Sequence, residues 1–325
     1  MKVIYFGKEA LEEAYIKDKL PGVDVVFYLG PIRQFSEERD TEAEVVSVFV
    51  NSPMGAGEMD RFPKLRLIAT RSTGVDHVNA EEAKKRGIAV ASVPGYGAPT
   101  VAEFAFALVL ALSRKVCDAH KQVTETGSFS QNGLTGFDLA GKTIGVVGCG
   151  KIGQHTARIA KGFGMQVLVS DAFKNDALAK EIGFMYAELP ELLGASDIIS
   201  LHVPYMKETH HLINTGNIGQ IKKGAYLINT ARGAVVETAA LVKALEDGVL
   251  AGAGLDVLEE EGDMQDEMHL LSGLHPKEEE LKVVLENHYL IDHPRVIITP
   301  HIAFDTREAI ERILDTTVEN ISTFK

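Results

Sequence analysis

The sequence has no tryptophan, few aromatic residues (7%) and only two cysteines, Cys117 and Cys149. Two thiols cannot build a disulfide framework or a cysteine-based zinc site, and so low a cysteine content fits a reducing, cytoplasmic compartment. A long apolar run is also missing. The longest, near residues 101–112, is interrupted by Glu103 and is too short to cross a bilayer. Met1 leads straight into Lys2-Val3-Ile4-Tyr5-Phe6, which reads as a strand and has neither the core nor the cleavage pattern of a signal peptide. Positive charge is scarce: 33 Lys and Arg face 46 Asp and Glu, for a net charge of −13. With no basic stripe, nucleic acid and anionic membrane surfaces are not expected partners. The 325 residues, 45% hydrophobic and 24% charged, suffice for one large or two ordinary globular domains.

Short apolar runs alternate with helical patterns along most of the chain. The runs are 3–6, 24–28, 45–50, 67–70 and 88–91, then 143–147, 167–170, 198–201, 225–229, 251–255 and 296–299. They are uninterrupted rather than alternating, as expected of strands covered on both faces. Two such series predict an α/β protein with two doubly wound, Rossmann-like parallel-sheet domains. The spacing predicts one long apolar helix over 101–120, a loop over 126–136, and an amphipathic helix over 307–324 that returns to the first domain. That domain is therefore expected to be discontinuous, 1–100 with 302–325, around an inserted domain at 101–301. The segment 259–294 is acidic and holds His269, His275, His288 and His293. Their spacing does not suit metal ligands, so no metal site is expected. A helix over 281–290 fits within this insertion.

Residues 143–147 run into Gly148-Cys149-Gly150-Lys151-Ile152-Gly153, followed by a helical pattern, a second strand and Asp171. A G-x-G-x-x-G sequence is weak alone but specific in this strand–turn–helix context with an acid about twenty residues on. Gly148 permits the turn, Gly150 lets a pyrophosphate approach the backbone, and Gly153 lets helix and strand pack closely. The helix N-terminus at Lys151 and Ile152 offers unpaired N–H donors. Asp171 suits the ribose hydroxyls and repels an added phosphate, so NAD is expected over NADP, with Lys174 nearby as the one opposing charge. Cys149 reads as a small filler.

Three segments end predicted strands at the carboxyl edge, where ligands bind in such sheets. They are Asn229-Thr230-Ala231-Arg232-Gly233, Asp256-Val257-Leu258-Glu259-Glu260-Glu261 and Thr299-Pro300-His301. Taken singly, each reads as surface charge or loop. Together, an arginine fork for a carboxylate and a carbonyl, a histidine to donate a proton and an acid to keep it protonated suit reduction of a 2-oxo acid.

With Arg71-Ser72-Thr73-Gly74-Val75-Asp76-His77, Val93-Pro94-Gly95-Tyr96-Gly97 and Leu201-His202-Val203-Pro204, these stretches resemble the D-isomer-specific 2-hydroxyacid dehydrogenases over nearly the whole chain, most closely the D-lactate dehydrogenase branch. The resemblance implies a substrate domain at the chain ends and an inserted NAD domain. It makes Arg232 the substrate-binding and polarising arginine and His301 the proton donor. Glu261, five residues after Asp256, becomes the partner acid, with Glu259 and Glu260 as neighbouring alternatives. Asp256, Thr230 and Ala231 would serve the nicotinamide end, and Val203, Pro204 and Thr209 would line the cofactor. Thr73 and Gly74 would offer N–H groups to the substrate carboxylate, and Tyr96 would cover its side chain. Phe104 stands where many members have histidine, and the insertion before His301 is longer than in many. The expected function is reduction of pyruvate to D-lactate with NADH by a homodimer. The alternatives are a glyoxylate, hydroxypyruvate or bulkier 2-oxo acid reductase and, in another class, an NAD-sensing corepressor-like binding protein. Such corepressors carry extra tails, whereas this chain opens in its first strand.

Overall fold

A computed structural model describes residues 1–7, 9–259 and 278–324, and divides the chain into two compact units. Glu260, Glu261, His269 and His275 lie outside the described residues.

The first unit comprises Met1–Tyr96 and Asp305–Lys325. Its strands β1 (Lys2–Gly7), β2 (Asp24–Leu29), β3 (Val45–Val48), β4 (Leu67–Thr70) and β5 (Ala89–Ala91) form one parallel sheet in the order β2-β1-β3-β4-β5. Helices α1 (Ala10–Lys19), α2 (Ala56–Asp60) and α3 (Ala80–Lys85) connect them. Because successive strand side chains point to opposite faces, Tyr5 packs with Val45, Leu67 and Ile16 on one side, while Ile4 and Phe6 pack with Val46, Met59 and Ile68 on the other. Both faces are covered, which is why these strands read as unbroken apolar runs. The C-terminal helix (Arg307–Thr323) completes the first face with Leu314 and Ile321.

The second unit, Gly97–Phe304, carries a seven-stranded parallel sheet ordered β12-β11-β10-β9-β6-β7-β8. Its strands are β6 (Thr143–Val147), β7 (Gln166–Ser170), β8 (Met185–Tyr186), β9 (Ile198–Leu201), β10 (Ala225–Asn229), β11 (Leu250–Leu255) and β12 (Val296–Ile298). The helices are α4 (Ala98–Arg114), α5 (Val116–Thr126), α6 (Lys151–Gly162), α7 (Asp176–Ile182), α8 (Leu189–Ala195), α9 (Thr238–Glu246) and α10 (Glu278–Asp292). Strand order reverses beside β6, the switch point at which such sheets bind ligands.

The single helix expected over 101–120 is in fact two. Lys115 adopts a left-handed conformation (φ 52°) between α4 and α5. A continuous helix would give the Ser113 carbonyl to the N–H of residue 117. Here the N–H of Phe137 takes it at 2.9 Å, so the returning loop ends the helix. The apolar face of α4 packs on α6, β10 and β11 within its own unit. That packing accounts for the apolarity of this helix. By contrast, α5 buries none of its residues.

Candidate active site

The second sheet sets the site through its register. Ser170, Val147, Leu201, Asn229, Leu255 and Ile298 are successive partners across the sheet, forming one row at the carboxyl edge. Immediately beyond that row come Asp171, Gly148, His202-Val203-Pro204, Thr230-Ala231-Arg232, Asp256 and Thr299-Pro300-His301. Sequence positions more than 150 apart are thereby brought to one edge by backbone pairing alone.

At the switch point, Gly148 has φ +90°, and a side chain there would come within 2.7 Å of the His202 carbonyl oxygen. A Cβ on Gly153 would overlap the Gly148 carbonyl, so this turn and the start of α6 fit only as glycine. Beside Gly150 the space is open, as a pyrophosphate cradle requires. Lys151 and Ile152 begin α6, ahead of its first intrahelical bond from Gln154 N–H to the Gly150 carbonyl (3.0 Å). Asp171 turns its carboxylate back to this loop. Its Oδ2 accepts from the Cys149 N–H at 2.5 Å and its Oδ1 from the Phe173 N–H at 2.7 Å. Lys174 is paired with Glu188 at 2.8 Å. Burial, reinforced by the Asp171 charge, pushes the Cys149 thiol up to about 11, which keeps it protonated and unreactive.

His202 lies behind the loop. Its Nε2 is 2.9 Å from Ser200 Oγ and 3.1 Å from Thr156 Oγ1, and burial pushes its pKa down to about 3. It is a neutral spacer. Val203 packs its Cγ1 toward Gly148, and Thr209 Oγ1 donates to the Pro204 carbonyl at 2.6 Å, closing the loop that follows β9.

Asn229 organises the next loop: its amide donates to the Arg232 carbonyl at 2.9 Å, and its oxygen accepts from the Ala231 N–H at 3.0 Å. Thr230 Oγ1 is buried with no hydrogen-bond partner among the described residues. A buried hydroxyl left open beside a dinucleotide turn is what a cofactor edge would complete. The residues of this edge therefore fit a bound NAD.

Asp256 is buried, and its carboxylate serves the His301 turn. Oδ1 accepts from Thr299 Oγ1 (2.5 Å) and the Ile302 N–H (3.0 Å), and Oδ2 accepts from the Ala303 N–H (2.8 Å). Burial pushes its pKa above the ordinary carboxylate range, opposed by these bonds and by His301. His301 has φ 54°, a strained left-handed conformation for a non-glycine residue, held by its N–H to the Asp256 carbonyl at 2.8 Å. The resemblance puts Asp256 at the nicotinamide end; its turn-building role and that of Thr299 are visible only in the fold. Among the three adjacent acids, Glu259 is committed elsewhere, with His211 and Thr238.

In the first unit, Arg71 is buried. Its Nη1 donates to Ser47 Oγ at 3.0 Å, its guanidinium stacks 4.3 Å from the Tyr5 ring, and its Nε lies 3.8 Å from Glu12. Thus anchored, it begins the Ser72-Thr73-Gly74 loop, in which Ser72 Oγ donates to the Gly74 carbonyl (2.6 Å) and Thr73 Oγ1 to the Val93 carbonyl (2.9 Å). The N–H groups of Thr73 and Gly74 have no acceptor among the described residues. Tyr96 closes the unit, its carbonyl accepting from Arg312 Nε at 2.7 Å. Among the described residues no cluster suits a metal ion, and no helix is long and apolar enough to cross a membrane.

The profile of the D-isomer-specific 2-hydroxyacid dehydrogenase NAD-binding domain matches residues 106–303, more than half of the chain. The chain belongs to the D-isomer-specific 2-hydroxyacid dehydrogenase family. It is an NAD-dependent oxidoreductase of D-2-hydroxy acids with the two-sheet α/β fold of that family. Relatives include a glyoxylate reductase of Korarchaeum cryptofilum, 38% identical over 91% of this chain and 83% of its own length. A D-lactate dehydrogenase of Treponema pallidum is 36% identical over 99% of this chain and 96% of its own. The structure of D-lactate dehydrogenase from Aquifex aeolicus, complexed with NAD and lactic acid, superposes with a TM-score of 0.87 at 38% identity, covering 99% and 95% of the two chains.

An Asp256→Asn variant tests the turn. An amide offers one acceptor oxygen and would set an NH2 against an inward N–H, at a cost of about 1–3 kcal/mol. The expected result is a lower urea midpoint together with reduced turnover. Unchanged stability and turnover would show that Asp256 does not hold the His301 turn.

Proposed function

We propose that this dehydrogenase reduces pyruvate to D-lactate with NADH. The observation that carries the chemistry is the strand row that sets Arg232, Asp256 and His301 beyond three adjacent strand ends. The choice of pyruvate is supported by alignment length. Two D-lactate dehydrogenases match 99% of this chain and 96% of their own lengths, whereas two glyoxylate reductases match 90–91% of it and 83–84% of theirs.

Gly148, Gly150, Lys151, Ile152 and Gly153 would hold NADH, with Asp171 for its ribose, and the bound cofactor would supply a hydride for the keto carbon. Val203, Pro204 and Thr209 would line the cofactor, and Thr230, Ala231 and Asp256 would serve its nicotinamide end. The Arg232 fork binds the substrate carboxylate and keto oxygen, stabilising the negative charge that develops on that oxygen. His301 donates a proton to the same oxygen, and Glu261 stabilises the charged imidazole. The N–H groups of Thr73 and Gly74 bind the carboxylate, and Tyr96 covers the methyl group.

Steady-state rates with pyruvate, glyoxylate, hydroxypyruvate and 2-oxoisocaproate, each with NADH and NADPH, test this reading. The highest kcat/KM is expected for pyruvate with NADH, with D-lactate as product. A higher value for glyoxylate, or equal use of NADPH, would contradict it.

We also propose a homodimer formed through the second unit. The exposed apolar residues Val116, Val123 and Phe129 on and after α5 are suited to a second copy. Sedimentation at micromolar concentration should give twice the 35.3 kDa chain mass. A single species of chain mass would refute the dimer.

A further inference from the structure

Glu259 is the last described residue before 260–277, and four separate elements grip it. His211 Nε2 lies 2.6 Å from its Oε1. Its Oε2 accepts from both the N–H (3.2 Å) and the hydroxyl (2.8 Å) of Thr238, the first residue of α9. Its carbonyl accepts from Nδ2 of the fully buried Asn287 on α10 at 2.7 Å. The fourth contact is backbone to backbone. A Cβ on Gly233 would overlap the Leu258 carbonyl and the Glu259 nitrogen, so the residue after Arg232 lies directly on the 258–259 peptide.

His211 is itself fixed. Its N–H donates to the Ala234 carbonyl at 2.8 Å, its φ is 48°, and the His210 ring stacks on it at 3.8 Å. The loop after β9, the start of α9 and the chain leaving β11 therefore meet on one carboxylate, and the loop carrying Arg232 lies against the peptide that bears it. Nothing in the proposed chemistry uses this cluster.

We propose that Glu259 is a positioning residue: its carboxylate, spanning His211 and Thr238, locks the main chain that leads to Glu261 against the loop that carries Arg232. This deepens the proposed function and rests on its assignment of Glu261. The strut needs acceptor geometry rather than negative charge. A glutamine can accept from Thr238 through its oxygen and meet the His211 ring nitrogen with its amide.

The test compares Glu259→Ala, Glu259→Gln and His211→Ala in the full-length enzyme, with NADH affinity measured by fluorescence and folding by thermal melting. Small misplacement of reacting groups costs up to about 100-fold in rate. Glu259→Ala should accordingly lower kcat for pyruvate about 10- to 100-fold, with KM and NADH affinity changed less than about threefold. Glu259→Gln should restore most of that loss. Added to Glu261→Gln, Glu259→Ala should cost little more, because both act through one group.

Unchanged kcat in folded Glu259→Ala overturns the proposal. So does a Glu259→Gln variant as impaired as the alanine, since the charge itself would then be at work. If Glu259→Ala does not fold, His211→Ala decides, and an unchanged kcat there overturns the strut. Glu261→Gln measured alone separates this inference from the reading beneath it. Full activity in that variant refutes Glu261 as the partner acid, whereas lost activity there with normal Glu259→Ala refutes only the strut.

Discussion

Parallel pairing of β12, β11, β10, β9, β6 and β7 in one register is the constraint on which the rest of the second unit depends. Each strand ends on the same row, from Ser170 to Ile298, so whatever follows a strand emerges at one edge. Backbone hydrogen bonds hold that row, and the side chains beyond it need only short loops to converge. This arrangement separates stability from chemistry: the buried apolar runs hold the sheet, and the polar residues just past their ends are left for ligands.

The loops at this edge are stiffened by polar side chains that touch no expected substrate. Asn229 shapes the turn before Arg232, Asp256 and Thr299 build the turn at His301, and Glu259 ties the chain after β11 to His211. The strained φ of His301 is tolerable because the Asp256 backbone and carboxylate over-determine it. In the first unit Arg71 plays a comparable part, anchoring the loop whose open N–H groups are proposed to meet a carboxylate. A site built this way loses rate before it loses its fold, since each support fixes an angle more than it buries area.

Much of this was legible in the sequence, for physical reasons. Strands buried on both faces leave unbroken apolar runs, so β1, β3, β4, β6, β9 and β10 stand out, whereas β8, with two residues, leaves no pattern. The glycine turn was legible because Gly148 and Gly153 are required by backbone contacts that only glycine allows. The break at Lys115 was not, because it is imposed by Phe137, far along the chain, and lysine carries no signature of a left-handed turn. Nor were the second roles of Asp256 and Glu259, whose partners lie 21–48 residues away and become neighbours only once the sheet has formed. The motif nevertheless points to these strand ends, because supporting residues crowd them together with those proposed to react.

The residues just past this row are proposed to bind and reduce a 2-oxo acid, with Arg232 as its anchor. Replacing Arg232 with lysine keeps the charge and removes the two-pronged geometry. The most direct measurement is the pyruvate turnover of Arg232→Lys beside its NADH affinity. Turnover is expected to fall about 100-fold or more while NADH binds as before. Near-normal turnover in a variant that binds NADH normally would show that the substrate is held elsewhere.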